Sequence, residues 1–167
     1  MKLIPPAFAI MALTAWLVIA DPLANSKDSA VGILVATTPC GKMIRPLHNI
    51  PQQIECALVE WKLTLYEDPI THKPTTYKLS SVNRFTVEVT NMYSEPGVKY
   101  ETEGKWAIVR GTKTNPNSIV YRLDPGKPKI SIDFLKLSNN LFHLLDHDGK
   151  LMVGNPFWSY TFTQVEN

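Results

Sequence analysis

The chain holds two cysteines, Cys40 and Cys56, separated by fifteen residues that include Lys42, Met43, Pro46, His48 and Pro51. Three chemistries suit such a pair. A reactive dithiol favours the short Cys-x-x-Cys loop and a cation or helix start that stabilises the thiolate. Lys42 supplies a cation, but the loop is long and nothing in the sequence predicts a helix there. A soft-metal clip for Cu(I) would draw on thiolate, thioether and imidazole donors, with Cys40, Met43, His48 and Cys56 as its candidate set. Met92, His143 and Met152 are further soft donors, scattered without ligand spacing. A structural disulfide asks only for an oxidising compartment and a loop. Closing a loop of this length stabilises a fold by about 3 kcal/mol in the chain-entropy treatment. The disulfide is the favoured reading, with Cu(I) the alternative and no other cofactor expected.

Other residues with chemical potential are read more simply. Asp146-His147-Asp148-Gly149 opens like a calcium loop, but the position that requires a bidentate glutamate falls on Phe157. A β-hairpin with Asp148-Gly149 at a type I′ turn is therefore expected. His143 lies in a strand pattern as a barrel-facing or exposed side chain, and His48 and His72 lie in loops. Trp61, Trp106 and Trp158 read as core or rim residues. No Gly-x-Ser-x-Gly, His-Glu-x-x-His or phosphate-cradling glycine loop occurs, so no catalytic residue is assigned and no enzyme is expected. The residues of any ligand site are not identified by pattern.

The chain carries a net charge of +2, with cations and anions interspersed. No basic cluster makes the footprint of a nucleic-acid binder, and no basic helix suggests binding to a membrane surface. The amino terminus sets the expected compartment. Lys2 is followed by an uncharged run from Leu3 to Ala20, the anatomy of a secretory signal. Cleavage is expected after Ala20, with 1–20 as signal peptide and 21–30 as a short linker. Retention as an anchor helix is the alternative, although Pro5 and Pro6 would start such a helix badly. No cysteine lies in 21–30, so a lipid-modified amino terminus is not expected. The remaining 31–167 suffice for one domain with its own core, not inserted in a membrane.

The elements that must position these groups follow from a period of two. In Glu60-Trp61-Lys62-Leu63-Thr64-Leu65, Trp61, Leu63 and Leu65 share one face. The same alternation places Phe85, Val87 and Val89 inward, then Ile119, Tyr121 and Leu123, then Tyr160 and Phe162. Thirteen prolines and eight glycines fall mostly in breaks such as "SEPG", "TNPN" and "DPGKP". Helical periodicity beyond about two turns is absent after the leader. The prediction is an all-β domain of eight or nine strands, and the short turns favour a closed antiparallel meander barrel of lipocalin-like shape.

"TTPCG", "VEWKLTLYED", "TTYKL", "EGKWAI" and "NLFHLLDHDGKLMVGN" occur in that order. Together they resemble the amino-terminal barrel domain of the copper resistance lipoprotein NlpE family, over about residues 31 to 155. The resemblance implies a non-catalytic protein of the Gram-negative envelope, in the periplasm, linked to copper or envelope stress through contact with an envelope partner. Two departures stand against it: the family's Cys-x-x-Cys is replaced by Cys40 and the distant Cys56, and the acylated cysteine is missing. A carrier of small apolar ligands inside the barrel is the alternative. It draws on Gly104-Lys105-Trp106, a Gly-x-Trp that lipocalins place on their first strand and that lies here at mid-chain.

Overall fold

A computed structural model describes residues 28–47, 50, 56–84, 86–87, 92–93, 97–127 and 131–166. The predicted leader, His48, Phe85 and Val89 lie outside the described residues. Eight strands close into an antiparallel barrel: β1 (Ser29–Pro39), β2 (Leu58–Glu67), β3 (Pro74–Arg84), β6 (Val98–Arg110), β7 (Ile119–Leu123), β8 (Ile132–Lys136), β9 (Leu141–Leu144) and β10 (Thr161–Val165). Each strand pairs with the next barrel strand in sequence, and β1 closes the ring against β10. This is the predicted meander. β1 begins two residues ahead of the expected domain boundary, where Asp28 accepts a 2.7 Å hydrogen bond from Thr75 Oγ1.

One predicted strand has a different place. The stretch containing Val87 is not part of the barrel wall; β4 (Thr86–Val87) pairs with β5 (Met92–Tyr93) as a separate two-stranded ribbon between β3 and β6. Alternation alone marks a strand without saying which sheet it joins. Among the described residues the helical content is a single turn, α1 (Ile44–Leu47), within the cysteine loop where no helix is expected. Pro46 is tolerated there because the first turn of a helix makes no use of its backbone donors.

The period-two faces of β2 and β10 fall as predicted. Trp61, Leu63 and Leu65 are buried with Leu34, Tyr77, Leu79, Phe134, Phe142 and Phe162 in one core cluster. On β7, Leu123 and Tyr121 face this core, while Val120 on the opposite face is also buried. Rings from different strands make the filling. Phe162 packs edge-on against both Trp61 and Phe134, at centroid distances of 5.5 and 4.9 Å, and Tyr121 lies 5.0 Å from both Trp106 and Phe142. An eight-stranded barrel is just wide enough for its side chains to fill. Both buried indoles are satisfied: Trp61 donates to Thr38 Oγ1 at 2.9 Å and Trp106 to the Tyr66 carbonyl at 2.7 Å.

Gly104 has a steric reason. A Cβ at this position would collide with Asp124 Oδ1 and lie 2.8 Å from the Tyr77 ring, so only glycine lets Asp124 reach across β6. Asp124, at a left-handed φ of 49°, there accepts a 2.7 Å hydrogen bond from the Tyr77 hydroxyl. The Gly-x-Trp of the sequence is thus a latch between β3 and the turn after β7.

Candidate functional site at the stapled end of the barrel

The β1–β2 ladder continues past its last named pair. Cys40 N donates to the Ala57 carbonyl at 3.0 Å and Ala57 N to the Arg84 carbonyl at 2.8 Å, which sets Cys40 beside Cys56. The two are joined in a disulfide with their Cα atoms 5.7 Å apart, as the favoured sequence reading had it. Between them the chain turns at Gly41, which lies against the Tyr160 hydroxyl. A Cβ on Gly41 would sit 2.7 Å from that oxygen. The helical turn then sends Ile44 into the core and leaves Met43 and Leu47 half-buried at its edge.

Opposite this crossing lies an arm, residues 145–160, that leaves the wall after β9 and returns at β10. Its first turn corrects the type I′ expectation: of Asp148 and Gly149, only Gly149 takes a positive φ, 75°. Gly149 N donates to the Asp146 carbonyl, as in a type I turn followed by a left-handed glycine. Asp146 Oδ1 also accepts from Asp148 N and Lys150 N, both at 2.9 Å. The acidic "DHDG" closes its own loop by Asx-type bonding. The second strand of the expected hairpin is reduced to one bridge, Leu145 to Leu151, after which Met152 N donates to the Leu144 carbonyl at 3.1 Å.

His143 fastens the arm. It lies half-buried on the outer face of β9, with Nδ1 3.0 Å from Thr161 Oγ1 and Nε2 2.8 Å from the Met152 carbonyl, both within hydrogen-bonding range. At the tip, Asn155 Oδ1 accepts from Phe157 N and Trp158 N, a turn that leaves Phe157 86% and Val153 90% exposed.

Between crossing and arm is a cleft of about 410 Å³. Met43, Leu47, Ile132 and Met152 give it apolar walls, while Asp146 and His147 stand beside them. Arg122 and Asp133 supply a bidentate ion pair, with Nε and Nη2 at 2.8 and 2.6 Å from the carboxylate oxygens. The Asp133 hydrogen bond outweighs burial and raises the pKa of the Arg122 guanidinium, keeping it charged.

The structure thus brings two soft donors of the sequence reading, Met43 and Met152, to one cleft with His147. Cys40 and Cys56 are not among its lining residues and are bonded to each other, so their thiolates exist only in reduced protein. His143 serves the arm, and Met92 lies on the separate ribbon. Among the described residues no group of three or more His, Cys, Asp or Glu side chains is placed to hold a metal. Sequence reasoning missed His147 and the Arg122–Asp133 pair as cleft residues. The only signal for the arm was its two Asx-type turns, at Asp146 and Asn155.

These features define a small closed antiparallel barrel with a filled interior, stapled by a disulfide at one end and flanked there by a clamped arm. No family model, curated protein or solved structure matches the chain.

Proposed function

We propose that this chain is an exported, non-catalytic barrel of the Gram-negative envelope that works by contact with another envelope protein, through the cleft and arm at its stapled end. One observation carries the reading: the barrel's interior is occupied by its own side chains, with Leu34, Leu63, Phe134, Phe142 and Phe162 at 0% exposure. A carrier of the lipocalin kind needs that space for its ligand, so the working surface is sought on the outside. Val153 and Phe157 are large apolar side chains held in solvent by a fastened turn, a feature associated with interaction surfaces. The disulfide suits an oxidising compartment such as the periplasm. The resemblance to the NlpE family leads to the same class. Its copper link enters only through reduced protein, where Cys40 and Cys56 would offer thiolates.

Site-specific photo-cross-linking in intact cells tests the contact. Photoreactive residues at His147 and Phe157 are expected to give one discrete adduct that a photoreactive residue at Lys78, on the outer wall of β3, does not give. Identical adducts from all three sites, or none from the cleft and arm, would overturn the proposal.

A further inference from the structure

At the other end of the β1–β2 pair, away from the disulfide, the barrel opens into a mouth of about 370 Å³. Its floor is apolar: Leu65 and Trp106 are buried, and Ile108 is exposed above them. Three polar features converge on this floor. Glu67 is committed to a neighbour, its Oε1 lying 2.7 Å from His72 Nδ1. The turn that presents His72 is fixed by Asp68, whose Oδ1 accepts from Ile70 N and Thr71 N, and His72 itself adopts a left-handed φ of 54°. Tyr121 lines the mouth with its ring against Trp106. Burial first, then the charge of Glu67, raises the pKa of its hydroxyl, which therefore stays a donor at neutral pH.

The third feature is Lys136. Phe134 is wholly buried in the core, and a period of two puts Lys136 on the same inner face, opposite Phe142. It is half-buried at the rim and has no ion-pair partner among the described residues. A partly desolvated ammonium favours a nearby anion. Glu67, the acidic side chain of the mouth, bonds His72 and makes no ion pair with Lys136.

We infer that the mouth binds a small amphipathic carboxylate, its headgroup on the Lys136 ammonium and the Tyr121 hydroxyl and its apolar body on Leu65, Trp106 and Ile108. A single cation suits a monocarboxylate better than a phosphate, which draws several donors. The volume lies at the small end of ligand sites and admits a molecule of modest size. Gln164 lends the rim rigidity, because its Nε2 donates to the Val31 carbonyl at 3.3 Å and its amide lies over Gly32, where a Cβ would come within 2.9 Å. This site is independent of the contact at the opposite end, and either reading stands if the other fails.

Titration of the oxidised protein with octanoate, followed by nuclear magnetic resonance, tests the inference, with 1-octanol and octylammonium as controls. Octanoate is expected to bind saturably, with resonances of Trp106 and Ile108 moving, and at least tenfold more tightly than either control. Lys136→Met should weaken octanoate at least tenfold, leave octanol unaffected and keep the wild-type unfolding midpoint. Tyr121→Phe, which retains the ring stack, should weaken octanoate by a smaller factor. Equal affinity for octanoate and octanol, undiminished octanoate binding by a folded Lys136→Met variant, or no saturable binding of octanoate would each overturn it.

Discussion

At the scale of single residues, the latch of Tyr77, Gly104 and Asp124 shows how one missing Cβ decides a packing arrangement. Gly104→Ala drives a methyl into the Asp124 carboxylate and the Tyr77 ring, and a cost of about 1–3 kcal/mol is expected in urea unfolding. Tyr77→Phe loses only the hydrogen bond, and about 1 kcal/mol is expected. The same hydroxyl makes a pH prediction. Burial, and next the hydrogen bond to Asp124, push the Tyr77 pKa well above its ordinary value, and Tyr121 and Tyr160 are also raised, chiefly by burial. The folded state then holds protons that the unfolded chain releases. This stabilisation is complete below about pH 10, the ordinary tyrosine value, and is lost as pH rises through the higher folded values. Unfolding midpoints measured from pH 8 to 11 should fall less steeply above pH 10 for Tyr77→Phe than for wild type. Gly104-Lys105-Trp106 was visible in the sequence, but its purpose was not, because the partner Asp124 lies twenty positions away and is brought in by the turn after β7.

At the scale of elements, the staple and the arm are separable. Cys40 and Cys56 were legible as a pair because they end a proline-rich loop after one strand and before the next, where a cross-link constrains the unfolded chain. Reduction, or the double change Cys40→Ser and Cys56→Ser, is expected to cost about 3 kcal/mol while leaving the β-rich circular dichroism intact at moderate temperature. The arm was less legible. "DHDG" and "GNPF" announce turns, yet nothing local says that the segment between them leaves the sheet to be pinned by a histidine on β9. His143→Ala removes that pin, and limited proteolysis should then cut within 150–158 at least several-fold faster, with the barrel's global unfolding little changed. Cutting at the wild-type rate would show that the bond to Met152 does not fasten the arm.

At the scale of the whole molecule, the strand alternation carried enough information to place the barrel's inner face. Trp61, Leu63, Leu65, Tyr160 and Phe162 all lie where a period of two puts them. What alternation could not say is whether the inner face encloses a ligand or itself, since both arrangements read the same along a strand. In the structure the inner face packs on itself: Phe162, Phe134 and Trp61 come together from three strands, and Tyr121 bridges Trp106 and Phe142. A charge introduced there has no solvent, so Leu63→Asp is expected to abolish cooperative folding, seen as loss of the thermal transition.

The central claim, a barrel filled by its own core and acting from its outside, is tested most directly by methyl-resolved nuclear magnetic resonance during titration with the neutral apolar probe N-phenyl-1-naphthylamine. The methyl resonances of Leu34, Leu63, Leu79 and Leu144, all 2% exposed or less, are predicted to stay in place throughout. Saturable shifts of those four interior leucines would mean that the barrel opens to hold a ligand, and would contradict the account.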